Sequence, residues 1–239
     1  MKGLFITGTD TGIGKTLITG LLAGYYHRQG WRIITQKWVQ TGCTEQSEDI
    51  AGHYALGNFA AGEEIDRLVN PYCFPLPASP HLAAEQAGCT VDPEVITRAY
   101  GELAARYDLV LVEGAGGALT PLTRTLLTAD LVTQLGLPTL LVAGNKLGCI
   151  NHTLLTIAAL RYRGIHLLGV VFNRLAEATH EQAILEDNPR VVAELGGVPV
   201  LGEMPFLADL RDGEQYIGAI AEAVVRETDN YAGASFLDS

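Results

Sequence analysis

The chain has 239 residues, a net charge of −11 from 16 Lys and Arg against 27 Asp and Glu, and 48% apolar residues. This length fits one large α/β domain, the apolar content excludes a disordered chain, and an acidic chain without a basic block argues against nucleic-acid binding. Because every apolar run is too short for a signal peptide or a membrane span, we expect a cytoplasmic protein with neither nucleic-acid nor membrane partners.

Short runs rich in Val, Ile and Leu recur along the chain, and each is followed by a helix-length segment. Runs that are apolar on both faces are typical of parallel strands covered by helices on both sides of a sheet. The predicted strands are residues 4–7, 32–36, 109–112, 139–143, 167–172 and 199–201. Alternating strands and helices predict an α/β fold with a doubly wound, mostly parallel sheet and helices on both faces.

Three of the intervening segments carry clear helix signals. Residues 15–29 and 150–163 each stop at a glycine, which is a common helix end. Residues 93–106 begin with proline directly after Asp92, a good N-cap residue. We therefore predict helices over these three ranges.

The domain organisation is simple, because the sequence shows no internal repeat, linker or low-complexity stretch. We expect one domain over residues 1–228 and a polar, loosely ordered tail over residues 229–239. The four cysteines lie far apart and form no C-x-x-C pair, so we expect neither a zinc site nor a disulfide framework.

The most specific motif follows the first predicted strand and opens the first predicted helix. It reads GTDTGIGKT, and five residues rather than the usual four separate Gly8 from Gly14. Such glycines let backbone N–H groups point inward, Lys15 is placed to reach the β- and γ-phosphates, and the Thr16 hydroxyl to bind Mg²⁺. A glycine-rich turn without a ligand is the alternative, but Gly-Lys-Thr at the start of a helix favours a nucleotide site of the P-loop NTPase type.

Charged side chains follow two other predicted strands and one predicted helix start. Glu113 ends a strand and leads into four residues rich in glycine, so we expect it near the P-loop as a Mg²⁺ ligand; the alternative is a solvated acid. Asp49 is a second candidate ligand, or a first-turn acid that the helix dipole favours. Lys37 is placed to neutralise charge during phosphoryl transfer, or else lies on the surface.

Together these motifs resemble the dethiobiotin synthetase family, the ATP-dependent ligases that close a ring in biotin synthesis. The resembling segments are TGTDTGIGKT at 7–16, residues 37–42, NPY at 70–72, SPH at 79–81, VEGAGG at 112–117, KLGCINHT at 146–153 and GEMPFLAD at 202–209. They run in family order over nearly the whole chain. The GKT core occurs in many NTPases, whereas the combination of TGTDT, VEGAGG and LGCINH is specific.

The resemblance implies a reaction and its partners. CO₂ would add to one amine of 7,8-diaminononanoate, ATP would phosphorylate the resulting carbamate, and the second amine would close a cyclic urea with release of phosphate and ADP. The family also implies Mg²⁺ as cofactor and a homodimer in which the substrate site is shared across the interface.

The resemblance also implies roles for individual residues. The catalytic set would be Lys15, Lys37 and Thr11. The nucleotide would be bound by Gly12, Ile13, Gly14, Lys15, Thr16, Asn173, Met204, Pro205 and Phe206. The metal would be held by Thr16, Asp49 and Glu113. The substrate would contact Thr41, Glu113 and Gly116, and its distant carboxylate would meet Gly148, Cys149, Ile150, Asn151 and His152 of the partner subunit.

Alternatives remain for the last of these segments. Asn151 is equally suited to a plain helix N-cap, and Cys149 and His152 to packing. Two positions depart from familiar members of the family: Gly12 stands in place of a glutamate, and Trp38 in place of a proline.

Three other classes of protein share the predicted nucleotide domain. Partitioning and septum-positioning ATPases are nucleotide-switched, partner-binding proteins that carry an additional lysine early in the P-loop, which this chain lacks. Cobyrinate synthases of the amidotransferase type need a glutaminase domain, for which 239 residues leave no room. A relative without activity is the third alternative, suggested by Gly12. The sequence favours the synthetase over all three.

Overall fold

A computed structural model describes residues 2–44, 47–59, 65–177 and 182–235. Its main sheet has six strands: β1 (Gly3–Gly8), β2 (Ile33–Lys37), β5 (Leu109–Glu113), β6 (Thr139–Asn145), β7 (Leu167–Arg174) and β8 (Val200–Met204). Their order in the sheet is β2-β5-β1-β6-β7-β8, and all of these pairs are parallel. All six strands predicted from the sequence are therefore confirmed, although most of them are longer than the apolar runs.

Helices connect these strands. They are α1 (Lys15–Arg28), α2 (Glu48–Gly57), α3 (Asp66–Val69), α4 (Pro80–Gln86), α5 (Pro93–Arg106), α6 (Thr128–Leu135), α7 (Cys149–Tyr162), α8 (Gln182–Gly196) and α9 (Glu214–Ser235). The three predicted helices correspond to α1, α5 and α7, with ends that agree to within one residue. Asp92 caps α5 as expected, because its Oδ1 accepts a hydrogen bond from the Glu94 backbone N–H at 2.9 Å.

Helices cover both faces of the sheet, as the continuous apolar runs predict. On one face, α1 and α9 pack on residues such as Leu4 and Ile6 of β1. On the other face, Phe5 of β1 packs with residues of α5 and α6. Alternate residues of one strand thus serve two separate cores, and the doubly wound α/β fold is confirmed.

The order of the strands creates a switch point at β1. From β1 the chain extends the sheet through β5 and β2 on one side and through β6, β7 and β8 on the other. Ligands of open α/β sheets bind at such a point, beyond the carboxyl ends of the strands. The P-loop lies there, because it directly follows Gly8 at the end of β1.

A second, two-stranded sheet was not predicted from the sequence. It consists of β3 (Val39–Thr41) and β4 (Tyr72–Phe74), which are parallel. The pairing brings Cys43 and Cys73 together, with Cα atoms 5.9 Å apart and a disulfide between them. The expectation of no disulfide framework is therefore wrong for these two cysteines, because they lie 30 positions apart in the sequence and only strand pairing brings them together.

The expected loosely ordered tail is also corrected in part. From Asp229 to Ser235 the chain continues as the last two turns of α9, and residues 236–239 lie outside the described residues. Within the described part of the chain, no helix is both long enough and apolar enough to cross a membrane.

Candidate active site

The P-loop connects β1 to α1 and has the conformation that its glycines allow. Gly14 is the N-cap of α1 with φ 94° and ψ 24°, a left-handed conformation that side chains disfavour. Lys15 is the first residue of α1, and its Nζ donates a hydrogen bond to the backbone carbonyl of Asp10 at 2.8 Å. The lysine side chain therefore folds back over the loop, where the phosphates of a nucleotide bind in P-loop proteins.

Lys15 is unusual electrostatically, since it is almost fully buried. Burial, and then the nearby charge of Lys37, lower its pKa to about 8, although Glu113 and Asp49 act in the opposite direction. An anionic ligand would stabilise the charged form of this lysine, because its negative charge offsets the hydration that the ammonium group loses on burial. The site is therefore prepared for phosphate.

Lys37 and Glu113 are direct neighbours across two strands. They are register partners in the parallel pairing of β2 with β5, at the carboxyl end of both strands. Lys37 Nζ lies 2.6 Å from Glu113 Oε1, and the Glu113 side chain is 1% exposed. Lys37 is buried too, so the alternatives of a surface lysine and a solvated acid are both wrong.

The ammonium group of Lys37 has three hydrogen-bond donors, and all three have partners. Besides Glu113, these are Asp49 Oδ2 at 2.7 Å and the backbone carbonyl of Gly114 at 3.1 Å. Burial alone would lower the pKa of Lys37, but the two carboxylates raise it, and the net direction is upward. Burial alone would likewise raise the pKa of Glu113, yet Lys37 and His53 bring it well below its usual range.

Asp49 reaches the same cluster from the first turn of α2. Ser47 caps this helix by accepting a hydrogen bond from the Ile50 backbone N–H at 3.2 Å. The Thr16 hydroxyl donates to Asp49 Oδ1 at 2.9 Å and lies 3.3 Å from Glu113 Oε1. Asp49 is therefore a first-turn helix acid that also contacts Thr16 and Lys37, and its role as a Mg²⁺ ligand stays a prediction.

The residues fit Mg²⁺ by the chemistry of their donors. Thr16, Asp49 and Glu113 bring one hydroxyl and two carboxylates together, and all of their donor atoms are oxygen. In the described ranges, no group of three or more His, Cys, Asp or Glu is arranged to hold a metal by itself. Mg²⁺ in nucleotide sites uses one or two carboxylates plus phosphates and water, which suits a set of this size.

A cleft of about 750 Å³ opens above this cluster. Thirteen of the predicted site residues line it: Thr11, Gly12, Gly14, Lys15, Thr16, Lys37, Thr41, Asp49, Glu113, Gly116, Asn173, Pro205 and Phe206. They come from the ends of β1, β2, β3, β5, β7 and β8 and the starts of α1 and α2. The fold thus gathers most of the predicted site in one cavity at the carboxyl edge of the sheet.

Asn173, near the end of β7, connects this strand to the P-loop. Its Nδ2 donates to the backbone carbonyl of Ile13 at 3.0 Å, and its buried Oδ1 has no hydrogen-bond partner among the described residues. Pro205 and the exposed Phe206 line the same cleft. A buried acceptor and apolar side chains in one cleft suit a flat, hydrogen-bonding ring.

Two predicted nucleotide residues lie behind the lining. Ile13 and Met204 are buried in the apolar core on the α1 side of the sheet and are not part of the cleft wall. Their side chains support the loop and the end of β8.

Residues 148–152 lie outside the cleft of this chain, at the start of α7. Gly148 is the N-cap, with φ 86° and no side-chain hydrogen bond, so the alternative of Asn151 as N-cap is wrong. Asn151 and His152 are exposed, Ile150 is half-buried, and Cys149 is buried among apolar residues, which raises the pKa of its thiol. The structure therefore leaves this predicted substrate segment apart from the other site residues.

Sequence reasoning missed several residues of the site. Gln40, Ser79, Thr120 and Arg174 also line the cleft. His53, behind the cleft, has Nε2 2.7 Å from Glu113 Oε2. Its signal was present in the sequence, since Asp49 and His53 are four residues apart on one helix and therefore share a face.

Comparison with known sequences gives both a family and relatives. The family described as "AAA domain" matches residues 2–214. The chain is 53% identical to ATP-dependent dethiobiotin synthetase BioD of Chlorobaculum tepidum over 126 residues, which are 52% of this chain and 53% of the relative. It is 46% identical to ATP-dependent dethiobiotin synthetase BioD 2 of Haemophilus ducreyi over 121 residues, 50% of this chain and 57% of the relative. The matched segments thus span about half the length of these curated relatives.

Comparison with solved structures supports the fold alone. The MinD cell division protein of Aquifex aeolicus superposes with a TM-score of 0.55 at 15% identity, covering 98% of each chain. At this identity the shared architecture carries no information about the partners of this chain. It does agree with the sheet and the P-loop described above.

Proposed function

We propose that this chain, which belongs to the AAA domain family, is an ATP-dependent dethiobiotin synthetase, a ligase of biotin synthesis. The observation that carries the proposal is the presence of two buried lysines, Lys15 and Lys37, in the lining of one cleft that also contains the P-loop. The names of the curated relatives support it. The partitioning-type ATPase stays the alternative outcome of the test below.

The proposed reaction has three steps. One amine of 7,8-diaminononanoate adds to CO₂ and loses a proton, which gives a carbamate. A carbamate oxygen attacks the γ-phosphorus of ATP, the bond to the β-γ bridging oxygen breaks, and ADP leaves. The second amine then attacks the carbonyl carbon of this carbamic-phosphoric anhydride, expels phosphate, loses a proton and closes the cyclic urea.

This reaction concentrates negative charge, and the residues of the cleft match that demand. A carbamate and a triphosphate are both negatively charged and repel each other. Cations placed between them, in a site that excludes water, offset this repulsion. Lys15 would hold the transferred phosphoryl group, and Lys37 the carbamate. Thr11 and Thr41, which also line the cleft, would donate hydrogen bonds to the reacting oxygens, with Gly12 and Gly116 leaving room for the substrate.

Lys37 has to change partners to do this. Its three donors are already used by Glu113, Asp49 and the Gly114 carbonyl, so contact with a carbamate requires the release of one of them. Asp49 is the partner most readily released, because its side chain is 25% exposed whereas that of Glu113 is buried. No histidine or cysteine nucleophile is needed, since the substrate supplies both amines.

Bound Mg²⁺ would neutralise phosphate charge, and Thr16, Asp49 and Glu113 would hold it. For the nucleotide, the N–H groups of the loop from Gly12 to Thr16 would surround the phosphates. Asn173 would accept a hydrogen bond from the base through its buried Oδ1, and Pro205 and Phe206 would pack on the ring, with Ile13 and Met204 as support.

The remaining substrate contacts follow from the resemblance to dethiobiotin synthetases, which implies a homodimer. There the distant carboxylate would meet residues of the partner subunit that lie outside the cleft lining of this chain: Gly148, Cys149, Ile150, Asn151 and His152. The uncapped N-terminus of α7 would favour an anion there. A cytoplasmic location belongs to the same proposal.

The test is phosphate release from Mg·ATP with bicarbonate, measured with and without 7,8-diaminononanoate, together with mass detection of dethiobiotin. We expect phosphate release to depend on the diamine and product to form in step with it. Phosphate release that ignores the diamine would indicate a nucleotide-switched ATPase instead. Absence of both release and product would indicate a relative without activity, with Gly12 the first residue to change.

A further inference from the structure

We propose that His53 is a positioning residue for Glu113, and that its hydrogen bond determines which carboxylate oxygen faces the Mg·ATP site. This inference rests on the proposed function for the identity of the bound nucleotide. It starts from a histidine that is 0% exposed in the middle of α2, with its ring nitrogen Nε2 2.7 Å from Glu113 Oε2.

Close packing of two helices brings His53 to the carboxylate. Gly20 of α1 lies against the backbone of α2, and a Cβ atom there would be 3.0 Å from His53 Cα and 2.9 Å from Leu56 Cβ. Because α1 also carries Thr16 and α2 also carries Asp49, this contact fixes how closely the residues on the two helices approach each other. His53 is one helical turn after Asp49, so the two side chains share the face of α2 that meets the cluster.

The partner of His53 fixes where its proton lies. Glu113 forms an ion pair with Lys37 through Oε1, and an ionised carboxylate only accepts hydrogen bonds, so Nε2 at 2.7 Å from Oε2 carries the proton. The other nitrogen, Nδ1, is buried and has no partner among the described residues. A buried nitrogen without a hydrogen bond lowers the stability of the fold, and an apolar side chain at this position would avoid that loss. The hydrogen bond to Glu113 is what the histidine provides and an apolar side chain would not.

The two oxygens of Glu113 are thereby given different tasks. Oε2 is bound by His53, while Oε1 lies 2.6 Å from Lys37 Nζ and 3.3 Å from Thr16 Oγ1. Without the imidazole, the carboxylate is free to rotate and to present either oxygen to Lys37. His53 would therefore act on metal and phosphate through Glu113, without touching either. Groups in this role change metal affinity or activity by about 10–100-fold when they are removed.

The first measurement is independent of any ligand. In the free wild-type chain, ¹⁵N NMR of the imidazole reports which nitrogen of His53 is protonated. We expect a proton on Nε2 that persists on the NMR timescale. A proton confined to Nδ1 would overturn the proposal.

The second measurement compares ATP affinity with Mg²⁺ and with EDTA in two variants. His53→Leu removes the donor, and His53→Gln retains a donor close to the position of Nε2. We expect His53→Leu to lose about 10–100-fold of the Mg²⁺-dependent gain in ATP affinity and His53→Gln to recover most of it, with metal-free affinity unchanged. Equal losses in both variants, or no loss in His53→Leu, would overturn the proposal.

Tyr54→Phe is the matched control, since it removes from the next position of the same helix a buried hydroxyl that has no hydrogen-bond partner among the described residues. We expect it to leave both affinities unchanged. Should His53→Leu fail to fold, the NMR result and the ATP affinity of His53→Gln still test whether His53 positions Glu113. If the wild-type chain makes no dethiobiotin but the loss and its recovery are observed, the proposed function fails while the role of His53 stands.

Discussion

Asn173 donates a hydrogen bond from Nδ2 to the backbone carbonyl of Ile13, 3.0 Å away, although 160 positions separate the two residues. The bond ties the end of β7 to the middle of the P-loop. One side chain thus holds the phosphate-binding loop with its amide nitrogen and leaves its oxygen for a ligand.

The Asn173→Ala variant should therefore lose ATP affinity by about tenfold or more, because it removes both the anchor of the loop and a buried acceptor worth about 1–3 kcal/mol. Isothermal titration with ATP measures this loss. Asn188→Ala is the control: its amide bonds Asn145 and the Lys146 carbonyl, and it is not in the cleft lining. Equal ATP affinity in both variants would contradict the role given to Asn173.

The Gly14→Ala variant should abolish tight nucleotide binding. At φ 94° any side chain is strained, and a Cβ atom on Gly14 would also collide with the Asn173 amide. Gly30 offers a matched control, because its φ is 85° but a Cβ there meets nothing within 4 Å. We expect both variants to pay the backbone penalty of about 1–2 kcal/mol in unfolding experiments, but only Gly14→Ala to lose ATP affinity. Retention of ATP affinity in Gly14→Ala would show that the contact with Asn173 is dispensable.

The Lys37→Met variant should lower turnover by about 10²–10³-fold, since Lys37 is proposed to stabilise charge in the transition state. It should also lower thermal stability, because Glu113 would stay buried without its main counter-ion. Product formation and thermal unfolding measure the two effects separately. Lys2→Met is the control: Lys2 is exposed and far from the cleft, so turnover should not change. Near-normal turnover in Lys37→Met would rule out its catalytic role.

A prediction about acid stability concerns His166, whose ring stacks on Tyr231 with centroids 3.8 Å apart. Burial lowers the pKa of His166, while the charge of Glu227 acts in the opposite direction. The unfolded chain therefore binds this proton more readily than the folded one, so stability falls as the pH drops below about 6.5. Urea unfolding at pH 7.5 and 5.5 should show a smaller pH dependence for His166→Gln than for the wild type. An equal dependence would exclude a contribution from His166.

Much of the fold was predictable because local patterns specify it. Apolar runs that continue on both faces identified all six strands of the main sheet, and helix ends at glycines identified α1 and α7. The β3–β4 pair escaped, since two strands of three residues are too short for a period to be seen. The Cys43–Cys73 contact escaped with it.

The candidate site was likewise predictable in part. The P-loop, Glu113 and Lys37 were predictable because each one lies at the carboxyl end of a strand, and the carboxyl ends of parallel strands meet at one edge. Their burial was not predictable, since it depends on the elements that cover them.

The sequence by itself determined the fold class, the phosphate-binding loop and the family resemblance, because each is written in residues close together along the chain. Only the tertiary structure decided how charges and hydrogen bonds are shared. It placed Lys37 between two carboxylates, joined Asn173 to Ile13, and brought His53 to the rear oxygen of Glu113. Such contacts join residues that are far apart in sequence, and they form only when helices and strands pack at fixed distances.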